Sequence, residues 1–122
     1  MAKKINLNDY LGHSMDWTCG KEHKTNLKIV DIDKDAVSRL PKHIEALGYK
    51  KPFLVADVNT WAAAGALVAE KLDVAGISYK KYIFNEKELI PDEKTLGSLM
   101  MAFSRDCDVI VAVGSGTLND LC

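Results

Sequence analysis

The residues with the most chemical potential lie at the end of the chain. Asp108 to Asp120 reads DVIVAVGSGTLND: a continuous apolar run, then Gly114-Ser115-Gly116, then Thr117-Leu118-Asn119-Asp120-Leu121-Cys122, which begins to read as a helix. Two glycines after a buried strand let the backbone approach an anion closely. Exposed N–H groups and a helix start supply positive partial charge. Ser115 and Thr117 add hydroxyl donors. The chemistry such a turn can perform is phosphate or pyrophosphate binding, and the plain alternative is a tight strand-to-helix connection. Neither G-x-G-x-x-G nor G-x-x-x-x-G-K-[ST] occurs in the chain.

Asp57 is the second candidate. It closes another apolar run, Pro52-Phe53-Leu54-Val55-Ala56-Asp57. A carboxylate at the carboxyl end of a parallel strand can accept hydrogen bonds from a ribose diol and repel an added 2′-phosphate. It can equally cap a helix beginning near Asn59. The order is unusual, because a dinucleotide fold normally carries its glycine turn first and its acid about 20 residues later, whereas here the acid comes first. Cys19 and His23, with His13 upstream, have the look of metal ligands, but a closed zinc site wants four ligands and no second cysteine pair exists. They are read as part of a lead-in arm. Cys107 lies between Asp106 and Asp108, a setting that disfavours a reactive thiolate. Nothing fixes the three histidines near a nucleophile, so no catalytic triad is assigned. No catalytic and no metal-binding residue is assigned in this chain.

The elements that must position these groups alternate. Residues 1–25 read as an irregular arm, since residues 8–25 show neither strand nor helix period. Residues 26–122 read as one domain. Leu27–Ile32 is short and β-branched and predicts a strand. Asp33 or Asp35 can cap a following helix, which Pro41 should divide into a short turn and a second helix ending at Gly48. Pro52–Asp57 predicts a strand buried on both faces. Asn59 to about Ala75 predicts a helix capped by Asn59 or Thr60 and ended by Gly76. Ile77–Phe84 predicts a strand, and Pro91-Asp92-Glu93 opens a helix reaching about Ser104. Asp108–Val113 predicts the last strand. Strands alternating with helices imply an α/β fold: a Rossmann-like, mostly parallel sheet with helices on both faces.

Composition sets the bounds. The chain has 122 residues, 48% apolar and 27% charged, with 16 basic and 17 acidic residues and a net charge of −1. That balance argues against a nucleic-acid partner. Its apolar runs fall short of the roughly 18 residues of a membrane span. The first residues lack the continuous apolar stretch of a signal peptide. Three widely spaced cysteines then read as reduced thiols of a cytoplasmic protein.

Four segments, CGKEH (19–23), VADVNTWAAAG (55–65), PDEKTLGSLMMA (91–102) and CDVIVAVGSGTLNDLC (107–122), carry a family resemblance. The chain resembles the N-terminal part of sn-glycerol-1-phosphate dehydrogenases, within the iron-containing alcohol dehydrogenase and dehydroquinate synthase-like superfamily. The most specific match is Gly114-Ser115-Gly116-Thr117-Leu118-Asn119-Asp120, which fits that superfamily's G-x-G-x-x-x-D pyrophosphate loop.

The resemblance implies a dehydroquinate synthase-like N-terminal domain that binds NAD or NADP. It implies hydride transfer between dihydroxyacetone phosphate and sn-glycerol 1-phosphate, a small phosphorylated substrate. By matching positions, Asp57 would contact the adenosine ribose. Gly114, Ser115, Gly116, Thr117 and Leu118 would wrap the pyrophosphate, and Asp120 would lie near the nicotinamide. The family's divalent metal, zinc or nickel, is held by an aspartate and two histidines of a C-terminal helical domain that these residues do not include. The expectation is therefore an excised or proteolytic N-terminal domain, inactive alone, from a parent able to form a homo-oligomer. Glycerol dehydrogenase and dehydroquinate synthase are rival parents. A non-catalytic flavodoxin-like receiver shares the alternation, with Asp31 and Asp33 near one predicted strand end, but the glycine turn is the wrong furniture for its magnesium pocket.

Overall fold

The computed structural model describes residues 11–12, 14–16, 19–24, 26–86 and 88–122. The chain forms two compact units, Met1–Ala36 and Val37–Cys122. In the first, β1 (Ser14–Asp16) pairs antiparallel with β2 (Glu22–Lys24), Met15 facing His23 across the ladder. This short ladder is an addition to the irregular arm read from the sequence. Leu27–Ile32, expected as a strand, forms none, and Leu27 and Ile32 stand exposed. β-propensity measures fit to a pleated, half-buried surface. With Leu27 and Ile32 in water and Ile29 and Val30 only half-buried, this segment lacks much of the burial that would have made it a strand. Asp33 closes the unit: its Oδ1 accepts the Asp35 N–H at 3.0 Å and its carbonyl accepts the Ala36 N–H at 3.2 Å.

Helix α1 (Ala36–Ala46) runs unbroken through Pro41, where the sequence predicted a division. Proline removes one N–H and crowds the carbonyl four residues back. Against that stands the apolar stripe Val37, Leu40, Pro41 and Ile44. Pro41 and Ile44 are buried, and Val37 and Leu40 pack against the core. The stripe wins because burial of a continuous helical face outweighs one lost hydrogen bond. Gly48 ends the helix at φ +83°, with its N–H bonded to the Glu45 carbonyl and the Tyr49 N–H to that of Ile44, a Schellman stop.

Three parallel strands follow, in the order β4-β3-β5: β3 (Pro52–Asp57), β4 (Lys80–Phe84) and β5 (Val109–Ala112). β3 is central. Phe53 and Val55 point to one face, where they pack with Phe84, Leu99, Cys107, Leu118 and Leu121. Leu54 points to the other, with Ile44, Val68, Ala69 and Leu72. The continuous apolar run of β3 is thus explained by helices on both sides of the sheet.

Helix α2 begins directly at the end of β3. It is α-helical over Val58–Thr60, π-helical over Trp61–Gly65 and α-helical again over Ala66–Val74. Gly76 closes it with a second Schellman stop in which the Ile77 N–H bonds the Leu72 carbonyl. That bond commits the Ile77 N–H to the helix stop, and β4 starts only at Lys80. Helix α3 (Glu93–Ala102) is capped by Asp92, whose side chain accepts the Thr95 N–H at 2.8 Å. This bond holds the Asp92 carboxyl below its ordinary range. Helix α4 (Gly116–Leu121) follows β5 and buries Leu118 and Leu121.

The amino ends of the strands are tied by charge. Asp106 accepts from Lys51, Lys80 and Ser104. The Asp108 carboxylate accepts the backbone N–H groups of Lys50 at 2.8 Å and Lys51 at 2.9 Å. Lys51 precedes β3, Lys80 begins β4, and Asp106 and Asp108 precede β5, so one knot joins all three strands. It lies at the end of the sheet opposite the groups described next.

Candidate nucleotide site

Two connections leave the carboxyl ends of neighbouring strands toward opposite faces of the sheet. After β3, α2 packs on the Leu54 face. After β5, α4 packs on the Phe53 and Val55 face. β3 and β5 are adjacent, with Val55 opposite Ala112. The two connections therefore diverge from adjacent strand ends, the topological switch point at which an open sheet has its ligand crevice. In open parallel sheets this switch point is where ligands bind. Asp57 and the Gly114–Gly116 turn occupy its two sides. The Val113 N–H bonds the Val55 carbonyl at 2.8 Å and carries the β3–β5 pairing up to the turn.

Asp57 is the N-cap of α2. Its Oδ1 accepts the N–H groups of Asn59 and Thr60, each at 2.8 Å. The Asp57 N–H in turn donates to Thr60 Oγ1 at 3.0 Å, which completes a capping box. The sequence left Asp57 between capping a helix and contacting a ribose. The structure establishes the cap, with both N–H bonds on one carboxylate oxygen. A carboxylate has lone pairs to spare after accepting two such bonds. Thr60, by contrast, was read only as a possible cap. Its role as the reciprocal partner of Asp57 was legible in the D-x-x-T spacing of Asp57-Val58-Asn59-Thr60, which follows the capping-box pattern with threonine in the third position.

The two glycines of the turn do different things. A β-carbon at position 114 would overlap Leu118 Cδ1 and lie 3.1 Å from Thr60 Cγ2, so Gly114 is demanded by packing within the chain. A β-carbon at position 116 would meet nothing within 4 Å. The fold has no steric need of glycine at 116, and the space there is open. Ser115 occupies the N-cap position of α4 without a capping bond from its side chain. Thr117 is half-buried, while Ser115 and Asp120 are exposed. Leu118 is 1% exposed and belongs to the core. Its side chain anchors the turn, and only its backbone can face a ligand.

Beyond the cap, the π turn brings Trp61 back over Gly65, where a β-carbon would lie 2.6 Å from Trp61 Cε3. Lys81 Nζ sits 4.6 Å from the centre of a Trp61 ring, a cation–π contact. Trp61 is thus a packing residue, and π turns of this kind are frequent beside functional sites. Cys107 is buried and its thiol lies 3.7 Å from the Pro52 carbonyl, away from the crevice. His13 lies outside the described residues, and of His23 only the backbone is described. Among the described residues no three His, Cys, Asp or Glu side chains gather where they could hold a metal ion, and no helix is long and apolar enough to cross a membrane.

Comparison with known proteins gives the chain a family. The family model described as iron-containing alcohol dehydrogenase matches residues 31–122. The chain is 36% identical over 107 residues to a glycerol-1-phosphate dehydrogenase [NAD(P)+] of Halalkalibacterium halodurans, covering 84% of this chain and 27% of that protein. It is 34% identical over 93 residues to the enzyme of the same name from Bacillus velezensis, covering 74% of this chain and 24% of that protein. A third, from Geobacillus thermodenitrificans, is 28% identical over 108 residues, 84% of this chain and 27% of its own length. The chain spans about a quarter of the length of these relatives.

Proposed function

Because the chain belongs to the iron-containing alcohol dehydrogenase family, we propose that it is the nucleotide-binding part of an NAD(P)-dependent sn-glycerol-1-phosphate dehydrogenase. The observation that carries the reading is the switch point. Asp57 and the Gly114–Gly116 turn flank the crevice between β3 and β5, and the fold leaves the space at Gly116 open.

The residues present fit a dinucleotide. The N–H groups of the turn and the hydroxyls of Ser115 and Thr117 would hold the pyrophosphate, and bare backbone at Gly116 lets it come close. The Asp57 carboxylate, fixed by its cap bonds, would accept from the adenosine ribose. Asp120, exposed on α4, would lie toward the nicotinamide. When bound, the nicotinamide supplies hydride chemistry. The part of this chain is to bind and orient it. The receiver reading would require an acidic cluster, and none forms among the described residues. The family's metal, zinc or nickel in this branch, is assigned to no residue of this chain, and no step is derived through it.

The relatives' names favour the phosphorylated substrate over glycerol itself. The test uses protein purified from its native cells, with its intact mass recorded. NADH and NADPH oxidation is followed with dihydroxyacetone phosphate and with dihydroxyacetone. Turnover with the phosphate ester alone is the expected result. Turnover with dihydroxyacetone alone would move the protein to the glycerol dehydrogenases, and turnover with neither would overturn the dehydrogenase reading.

A further inference from the structure

The two sides of the crevice are joined by one side chain. Thr60 uses its hydroxyl on one side, where Oγ1 accepts the Asp57 N–H at 3.0 Å. It uses its methyl on the other, where Cγ2 lies 3.1 Å from the position a β-carbon would take at Gly114. Its own N–H donates to Asp57 Oδ1 at 2.8 Å. A threonine can do both because its β-carbon carries a hydroxyl and a methyl in fixed relation, and its restricted χ1 holds them there. Serine keeps only the hydroxyl, and valine only the apolar contact.

We propose that Thr60 is a positioning residue that sets the Asp57 carboxylate and the Gly114 turn in register with each other for one dinucleotide. The inference rests on the nucleotide-binding reading above. Its physical content is that a ribose acceptor and a pyrophosphate turn must be correctly spaced at the same time, and misplacement of either weakens binding. The hydroxyl fixes the backbone of Asp57, whose carboxylate would read the ribose end. The methyl lies beside the Gly114 position of the turn, which would serve NADH and NADPH alike. The two halves of Thr60 therefore act on different quantities.

The test takes the 15N-labelled chain and its Thr60→Ser and Thr60→Val forms, titrated separately with NADH and NADPH. Thermal transitions are recorded first to show that each form folds. Thr60→Ser is expected to weaken both nucleotides by the same factor, roughly three- to tenfold, the range a single packing or hydrogen-bond contact commands. The ratio of the two affinities should stay as in the parent chain. Thr60→Val is expected to change that ratio toward NADPH, because the Asp57 N–H loses its acceptor and the residue carrying the carboxylate shifts, although the Asn59 and Thr60 N–H bonds to Oδ1 remain.

Without any nucleotide, Thr60→Ser should shift the Gly114–Gly116 amides most, and Thr60→Val those of Asp57 to Asn59. This second readout stands if one variant fails to fold. Equal, ratio-preserving losses from both variants would reduce Thr60 to a structural residue and overturn the inference, as would wild-type affinities in both. If those negative results appear while Gly116→Val still abolishes binding, the nucleotide reading survives without Thr60. If the parent chain binds neither nucleotide, or Gly116→Val leaves binding unchanged, the nucleotide reading itself falls and the positioning role with it.

Discussion

Alanine at the two glycines of the turn should act in opposite directions, although only one residue separates them. At position 114 the new methyl would overlap Leu118 Cδ1 and press on Thr60 Cγ2 at 3.1 Å. Leu118 is 1% exposed and packed among Phe53, Val55 and Leu99, so it has no free direction in which to retreat. Overpacking of a filled core costs about 1–3 kcal/mol. At position 116 the methyl enters open space, on the first residue of α4. Alanine there restricts the unfolded chain and favours the helix, so the effect is between zero and about 1 kcal/mol of stabilisation. A domain of this size shifts its melting temperature by about 4 °C per kcal/mol. Gly114→Ala should therefore melt roughly 4–12 °C lower than the parent chain, and Gly116→Ala at the same temperature or up to about 4 °C higher. Thermal melts followed by far-ultraviolet circular dichroism and urea titrations at one temperature give both numbers. The same variants titrated with NADH supply the second axis: Gly116→Ala should weaken binding while leaving the fold intact. Equal destabilisation by both variants would refute the division of labour between a glycine required by the core and a glycine required by a ligand.

Other substitutions separate roles in the same way. Asp57→Asn keeps a capping side chain and should cost little stability while relaxing discrimination against NADPH, whereas Asp57→Ala should also lose about 0.5–2 kcal/mol of stability; urea unfolding beside nucleotide titration distinguishes them. Gly65→Ala places a β-carbon 2.6 Å from Trp61 Cε3 and should displace the indole, costing about 1–3 kcal/mol and moving the Trp61 emission to the red. Lys51, Ser104 and Lys80 hold the Asp106 carboxyl well below the usual carboxylate range. The Lys51 and Lys50 N–H groups do the same for Asp108. A depressed folded pKa contributes stability above the unfolded value, about 3.9, and that contribution is lost as the pH falls through the folded value. Melting temperatures should thus fall with acid below about pH 4, and Asp106→Asn should flatten that fall without altering nucleotide binding at neutral pH. An unchanged slope would remove the knot from the account.

Much of this fold was legible because its signals were local. The apolar runs at Pro52–Asp57 and Asp108–Val113 and the helix stops at Gly48 and Gly76 depend on near neighbours, and they appear where expected. What failed depended on burial. Leu27–Ile32 has strand composition but exposes Leu27 and Ile32. Pro41 is a helix breaker by local rules, yet it is buried within α1, where the Val37, Leu40 and Ile44 stripe holds the helix continuous. Ile77 lies outside β4, with its N–H committed to the preceding helix stop. Near the site, the sequence marked Asp57 and Gly114–Gly116 but could not show that they flank one crevice. That requires knowing that α2 and α4 pack on opposite faces. Nor could it separate the tasks of Gly114 and Gly116, since the difference lies in how the Leu118 side chain and the distant Thr60 pack around position 114.

The most direct test of the central claim is a map of the dinucleotide on the 15N-labelled chain. NADH is titrated in, and amide shifts are followed residue by residue. The account predicts the largest changes at Asp57–Thr60 and Val113–Leu118, at the carboxyl ends of β3 and β5, with none at the Lys51, Lys80 and Asp106 knot at the other end of the sheet. Changes centred on that knot, or spread without regard to the crevice, would contradict it.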